Sequence, residues 1–217
     1  MPFDFLRRRK QPPGAAPRRA AKGSEEASGA DIRFDGLTEE WRLLGTMHVE
    51  GRLSDVLNRR EAVPISDVSW APIDGSGPLT PVPGLKSVDP YDLILVLAPS
   101  DSKPAMSESE KAAHAVHKVA FDVAIEAPPF RIAGTVFLFP GTEPASLLNR
   151  GTDMFVPVVD AVAHLGDRPV SHEEIDSILV NRFYMRGVEQ IDLRTGEKPL
   201  PFPGEPLGGT SWQDRSR

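Results

Sequence analysis

The dipeptide Asn-Arg occurs as Asn58-Arg59, Asn149-Arg150 and Asn181-Arg182. A guanidinium beside a carboxamide presents several N–H donors in one place, which suits a phosphate or a carboxylate. Asn58 and Asn149 each close a short helical stretch, and a left-handed helix cap accounts for both without a ligand. Asn181-Arg182, on the last strand, has no such account. Together with His48 and Arg52 it forms the set of candidate partner-binding or ligand-binding residues in the body of the chain. His114 and His117 stand three apart, a spacing that turns both imidazoles to one face of a helix and would suit two metal ligands. A solvated linker helix explains the pair as well, so no metal or other cofactor is expected.

Catalytic signatures are missing. The chain has no G-x-x-x-x-G-K-[ST] phosphate loop, no G-x-S-x-G nucleophile elbow and no H-E-x-x-H metal helix. Gly75-Ser76-Gly77 is the nearest approach to a glycine-rich phosphate loop. It does not lie between a strand and a helix N-terminus, so it reads as an ordinary turn. With 0 cysteines, disulfides, thiolate metal sites and cysteine nucleophiles are all excluded. A non-enzymatic protein is the expectation.

The elements that would position these residues come in two related sets. Residues 41–68 recur in outline as residues 130–161: Arg42, Gly45, Thr46, Leu57, Asn58, Arg59, Val63, Pro64 and Asp67 match Arg131, Gly134, Thr135, Leu148, Asn149, Arg150, Val156, Pro157 and Asp160. Phe34-Asp35 and Phe121-Asp122 extend the match upstream. Trp41, Leu43, Gly45, Met47 and Val49 alternate with more polar neighbours, as do Phe130, Ile132, Gly134, Val136 and Leu138, which is strand periodicity. Each glycine falls on the core phase, where the absent side chain suits a bend or the close approach of another backbone. Leu53, Val56 and Leu57 have helical spacing; in the second set Thr142 caps the start and Pro144 suits the first turn. Asp67 and Asp160 fall at matching strand ends and suit turn capping. Pro64 and Pro157 inside their strands predict an edge or a bulge.

The pattern therefore predicts a mainly β (β-rich α+β) fold: two tandem ββαββ units packed as one pseudo-twofold body, a small barrel or sandwich. Unit one covers residues 31–99 and unit two 119–195. Residues 100–118 connect them, with Ser107 and Glu110 at capping-box spacing for a helix. Units near 65 residues bury too little surface to stand alone, since a domain of about 60 residues buries only about 60% of its unfolded surface, so a shared core is expected. Residues 1–30 and 196–217 are rich in proline, glycine and polar side chains and read as flexible tails.

Charge divides the same way. The chain holds 25 basic and 31 acidic residues. Residues 1–22 take seven of the basic ones (Arg7, Arg8, Arg9, Lys10, Arg18, Arg19, Lys22) and one acid, Asp4, leaving 18 basic against 30 acidic in the rest. Arg7, Arg8, Arg9 and Lys10 beside Phe3, Phe5 and Leu6 would suit an anionic membrane surface or nucleic acid, the acidic body opposing the second. No apolar run reaches the roughly 18 residues a membrane helix needs. A cytoplasmic protein is expected, with peripheral attachment at the inner face of the membrane as an extension.

The stretch Gly45 to Asn58, G-T-M-H-V-E-G-R-L-S-D-V-L-N, resembles uncharacterised bacterial proteins that share a G-x-[hydrophobic]-H segment followed by R-L-S-D-x-L-N. The resemblance implies no activity. The second set departs from it, with Phe137 for His48 and Glu143-Pro144-Ala145-Ser146 for Arg52-Leu53-Ser54-Asp55. The leading expectation is an interaction or scaffolding protein that binds a protein partner or itself, with tails that recruit partners. A small-barrel nucleic-acid binder and a small-ligand sensor or enzyme with a site between the units are the alternatives.

Overall fold

The structure, a computed structural model, describes residues 29–99, 118–149, 153–171 and 175–196. Arg7 to Lys10, both tails beyond these bounds, Arg150, His114, His117 and the expected connector helix lie outside the described residues. The first half forms β1 (Ala30–Leu37), β2 (Trp41–Val49), α1 (Leu53–Asn58), β3 (Val63–Pro64), β4 (Ser66–Pro72), β5 (Thr80–Pro81), β6 (Ser87–Val88) and β7 (Leu95–Pro99). The second forms β8 (Val119–Ala127), β9 (Phe130–Leu138), β10 (Phe155–Leu165), β11 (Arg168–Pro169), β12 (Ile175–Asn181) and β13 (Gly187–Gln190). Among the described residues no helix is long and apolar enough to cross a membrane.

The fold is β-rich, as the periodicity predicts. One antiparallel sheet runs β13-β8-β9-β10-β12-β7-β1-β2-β4-β5, with β11 on β10, and β3 and β6 form a small separate ladder. The main sheet does not close into a barrel; β5 and β13 are its ends. β7 docks on β1 of its own half, β12 docks on β10 of its own, and β7 and β12 pair with each other.

That central pair is why the run Leu93-Ile94-Leu95-Val96-Leu97-Ala98 is apolar without alternation: successive side chains point to opposite faces, and both faces are covered. Val96, Ala98 and Leu179 enter a core with Phe34, Met47 and Leu57. Leu95, Leu97, Ile178 and Val180 enter a second core with Ile125 and Ile132. Phe155 of the second half completes the first core, and Leu37 of the first half completes the second. Each such fully buried large side chain contributes about 1.5–3 kcal/mol of transfer free energy, so neither half keeps its core without the other.

The matched glycines and aspartates form the same device twice. Leu44 pairs with Ser69 and Thr46 with Ser66, which leaves Asp67 and Val68 opposite Gly45. Thr135 pairs with Val159 and Ala133 with Val162, which leaves Asp160 and Ala161 opposite Gly134. These are bulges, and their first residues take positive φ, 52° at Asp67 and 48° at Asp160. Aspartate tolerates that region better than most side chains. A Cβ on Gly45 would stand 2.9 Å from the Ser66 carbonyl, and one on Gly134 would stand 2.8 Å from Ala161 Cβ. The two aspartates therefore sit inside strands, not at strand ends where a turn would need capping.

The prolines also differ from a simple edge assignment. Pro64 belongs to the small β3–β6 ladder, opposite Ser87. Pro157 lies within the main sheet, where β12 pairs with β10 on one side while β9 joins on the other only from Val159 onward. Its missing N–H points to the side that lacks a partner strand.

Candidate ligand-binding cleft

Between β9 and β10 the sheet opens. The last residues of β9, Val136 to Leu138, pair with β8 alone, and the first residues of β10, Phe155 to Val158, pair with β12 alone. The loop joining the two strands crosses this gap as a short 3-10 turn, Pro144–Leu148. In the first half the matching loop is the true helix α1, whose Leu53, Val56 and Leu57 are all buried. The 3-10 turn buries only Pro144 and Leu147 and leaves Leu148 exposed. Fewer apolar side chains reach the gap, and a cleft of about 610 Å³ remains.

Its lining is amphipathic. Phe137, Leu147 and Val156 contribute apolar surface, and Phe139 stands at the rim with Lys118 Nζ 5.4 Å from its ring centroid. Phe137 is 49% exposed and Phe139 57% exposed, well above what aromatic side chains keep in a closed core. Arg182 supplies the second cation. Its backbone N–H donates to Met154 O at 2.8 Å and its Nη1 donates to Asn149 O at 3.0 Å. The buried Nε has no hydrogen-bond partner among the described residues. Burial pushes the Arg182 guanidinium below the ordinary arginine value, and the carboxylate of Asp153, also in the lining, offsets this in part.

The β10 wall is not a template for an added strand. Met154, Val156 and Val158 turn their backbone groups toward β12, so Phe155 and Pro157 turn theirs toward the cleft. Phe155 N–H donates to Asn58 Oδ1 at 2.7 Å and its carbonyl accepts from Asn58 Nδ2 at 3.5 Å. Pro157 has no N–H to give. An incoming strand would find almost no ladder to join, whereas a compact molecule needs none.

Of the candidate binding residues Asn181, Arg182, His48 and Arg52, Arg182 lines this cleft, and Asn149 of the second Asn-Arg pair lines it as well. Asn181 is fully buried, donates to Pro90 O at 3.2 Å and Leu93 O at 2.7 Å, and accepts from Phe183 N–H at 3.0 Å. It ties the Pro90–Asp92 turn of the first half to the end of β12 and has no surface to offer a ligand. His48 is exposed on β2, with Nδ1 2.8 Å from Oδ1 of Asp31, its cross-strand neighbour. Arg52 is exposed at the start of α1, where its carbonyl accepts from Asp55 and Val56 N–H at 3.0 and 3.2 Å.

Neither asparagine expected to cap a helix does so. The left-handed residue after α1 is Arg60, φ 62°, because Asn58 is held inside the helix by its bonds to Phe155. Asn149 ends the 3-10 turn in an extended conformation. Glu143, not Thr142, is the N-cap residue of that turn, and Pro144 starts it as predicted. Gly75-Ser76-Gly77 is an ordinary turn: Ser76 N–H donates to Asp74 Oδ1 at 2.8 Å, and Arg168 of the second half donates to the Ile73 and Asp74 carbonyls.

Sequence reading missed Lys118, Asp153, Phe137 and Phe139 as cleft residues. A signal for the two phenylalanines exists, since Phe137 on β9 and Phe139 just past its end continue the sequence phase opposite to Ile132, Gly134 and Val136, where polar residues are expected. No protein-family model, no curated protein and no solved structure matches this chain.

Proposed function

We propose that the protein is a non-catalytic binding protein whose β-sheet body holds a small, largely apolar ligand in the cleft between β9 and β10. The observation that supports this most is the parting of two otherwise paired strands over a 3-10 turn that fails to fill the gap. Cavities of about 300–1,000 Å³ with apolar walls and a few convergent polar groups are the usual form of ligand sites. Rigid strands on both sides give such a site a fixed shape, which lowers the ordering cost of binding.

A neutral solvatochromic dye such as Nile red tests the reading on the full-length protein. Saturable one-to-one binding that is lost when Ser146→Trp fills the cleft is expected. Dye fluorescence that does not saturate, or that Ser146→Trp leaves unchanged, overturns it.

Recruitment of a protein partner is a second reading, favoured by the Trp41–Trp70 stack, whose ring centroids lie 5.1 Å apart with each ring 37% exposed. Exposed aromatics of this kind anchor protein interfaces. Strand-to-strand self-association has less support: the end strand β5 is two residues long and includes Pro81, with Pro78 and Pro83 beside it. Sedimentation across concentration, with Trp70→Ser as control, tests this reading; a monomer at every concentration that captures nothing through that face removes it.

A further inference from the structure

We infer that the ligand of the cleft is an organic monocarboxylate with an unbranched or flat apolar body, its carboxylate held by Arg182 and its body laid against Phe137, Leu147 and Val156. The inference rests on the cleft being a ligand site and adds the ligand's charge and shape.

The charge follows from the groups that converge there. Arg182 and Lys118 are the cations of the lining, and Asp153 is its carboxylate. Arg182 donates from Nη1 to Asn149 O, while the buried Nε has no partner among the described residues. A desolvated guanidinium is stabilised by an anion more than by any neutral group. Planar carboxylate geometry matches the guanidinium fork. Asp153 limits the total negative charge that the cleft accepts, which favours a monoanion over a phosphate dianion. Lys118, at the rim and stacked on Phe139, is placed to attract the anion from solvent, as exposed charges act more on association than on the bound state.

The body follows from the walls. Phe137 and Phe139 are large, flat and substantially exposed, a state that burial by an apolar ligand would relieve. The β10 wall offers the carbonyl of Pro157 and no free backbone donor at Phe155 or Pro157, so a polar, multiply hydrogen-bonding body such as a sugar or a peptide strand would leave its acceptors unsatisfied there.

Titration calorimetry of the full-length protein with octanoate and with 1-octanol, matched in chain length, tests the inference. Octanoate is expected to bind one-to-one and about tenfold or more tighter than 1-octanol. In Arg182→Met that ratio is expected to fall toward unity, and in Arg182→Lys to be partly retained. Equal affinities in the wild-type protein, or a preference for octanoate that survives Arg182→Met, overturn the assignment. The wild-type comparison stands even if a variant fails to fold. If Nile red binds in the cleft but octanoate shows no advantage, the charge assignment alone falls. If neither the dye nor octanoate binds, the cleft reading falls with it.

Discussion

The carboxamide of Asn58 pairs with both backbone groups of Phe155, 97 residues along the chain, accepting at 2.7 Å and donating at 3.5 Å. One side chain of the first half thereby occupies the cleft-facing backbone groups at the start of β10 and fixes the wall of the cleft. Asn58→Ala leaves the Phe155 N–H and carbonyl without these bonds in a part-buried setting. A loss of about 1–3 kcal/mol is expected, read as a lower urea midpoint with an unchanged slope.

Arg42 donates to Asp35 from Nε at 2.9 Å and from Nη2 at 2.6 Å, and Asp35 is only 2% exposed. The hydrogen bond to Asp35 is the largest influence on Arg42 and raises its pKa above the ordinary arginine value. Arg42→Met keeps the bulk but removes both bonds to a buried carboxylate, and should cost about 3–5 kcal/mol. The double variant Asp35→Leu/Arg42→Leu should lose less than Arg42→Met alone, because no buried charge remains; equilibrium denaturation of both compares them directly.

At the two bulges, Gly45→Ala and Gly134→Ala each push a methyl against a neighbour 2.8–2.9 Å away. A cost of about 1–3 kcal/mol is expected for each. Asp160→Gly should stay within about 1 kcal/mol of the wild type, since glycine accepts the positive φ freely, while Asp160→Val should lose about 1–2 kcal/mol. Thermal melts of the three classes give the ranking.

Tyr184 donates to Tyr91 O at 3.1 Å, and its phenol is pushed above the usual tyrosine value by burial first, then by the carboxylates of Glu39 and Asp92. The folded state therefore holds this proton more tightly than the unfolded one. Stability from this group is fully present below about pH 10 and declines as pH rises through the folded value. Tyr184→Phe should remove a phenolate absorbance step that lies above the usual tyrosine range and flatten the alkaline fall in the urea midpoint relative to wild type.

How much of this was legible in the sequence depends on the range of the interaction. Alternation on β2 and β9, the proline-started turn at Pro144 and the tight glycines are local, and the sequence announces them. The bulges were half visible: glycine signalled close approach, but that Asp67 and Asp160 lie opposite those glycines depends on strand register. Asn58 and Asn149 read as caps because capping is the local use of asparagine, and Asn181 reads as a candidate binding residue, whereas Asn58 and Asn181 spend their carboxamides on backbone about 90 to 100 residues away. The cleft was least legible. It exists because β9 and β10 part company and a 3-10 turn replaces a helix, a difference of packing volume that no residue type encodes by itself. The clue lay in divergence between the halves: Ile94-Leu95-Val96 continues as Leu97-Ala98, whereas Ile178-Leu179-Val180 continues as Asn181-Arg182.

The most direct test of the central claim is a two-dimensional amide NMR titration of the full-length protein with octanoate. Saturable shifts concentrated on Phe137, Leu138, Ser146, Leu147, Val156 and Arg182 are predicted, with Trp41 and Trp70 unmoved. Shifts centred on the tryptophan pair, or none in the cleft at saturating octanoate, would contradict it.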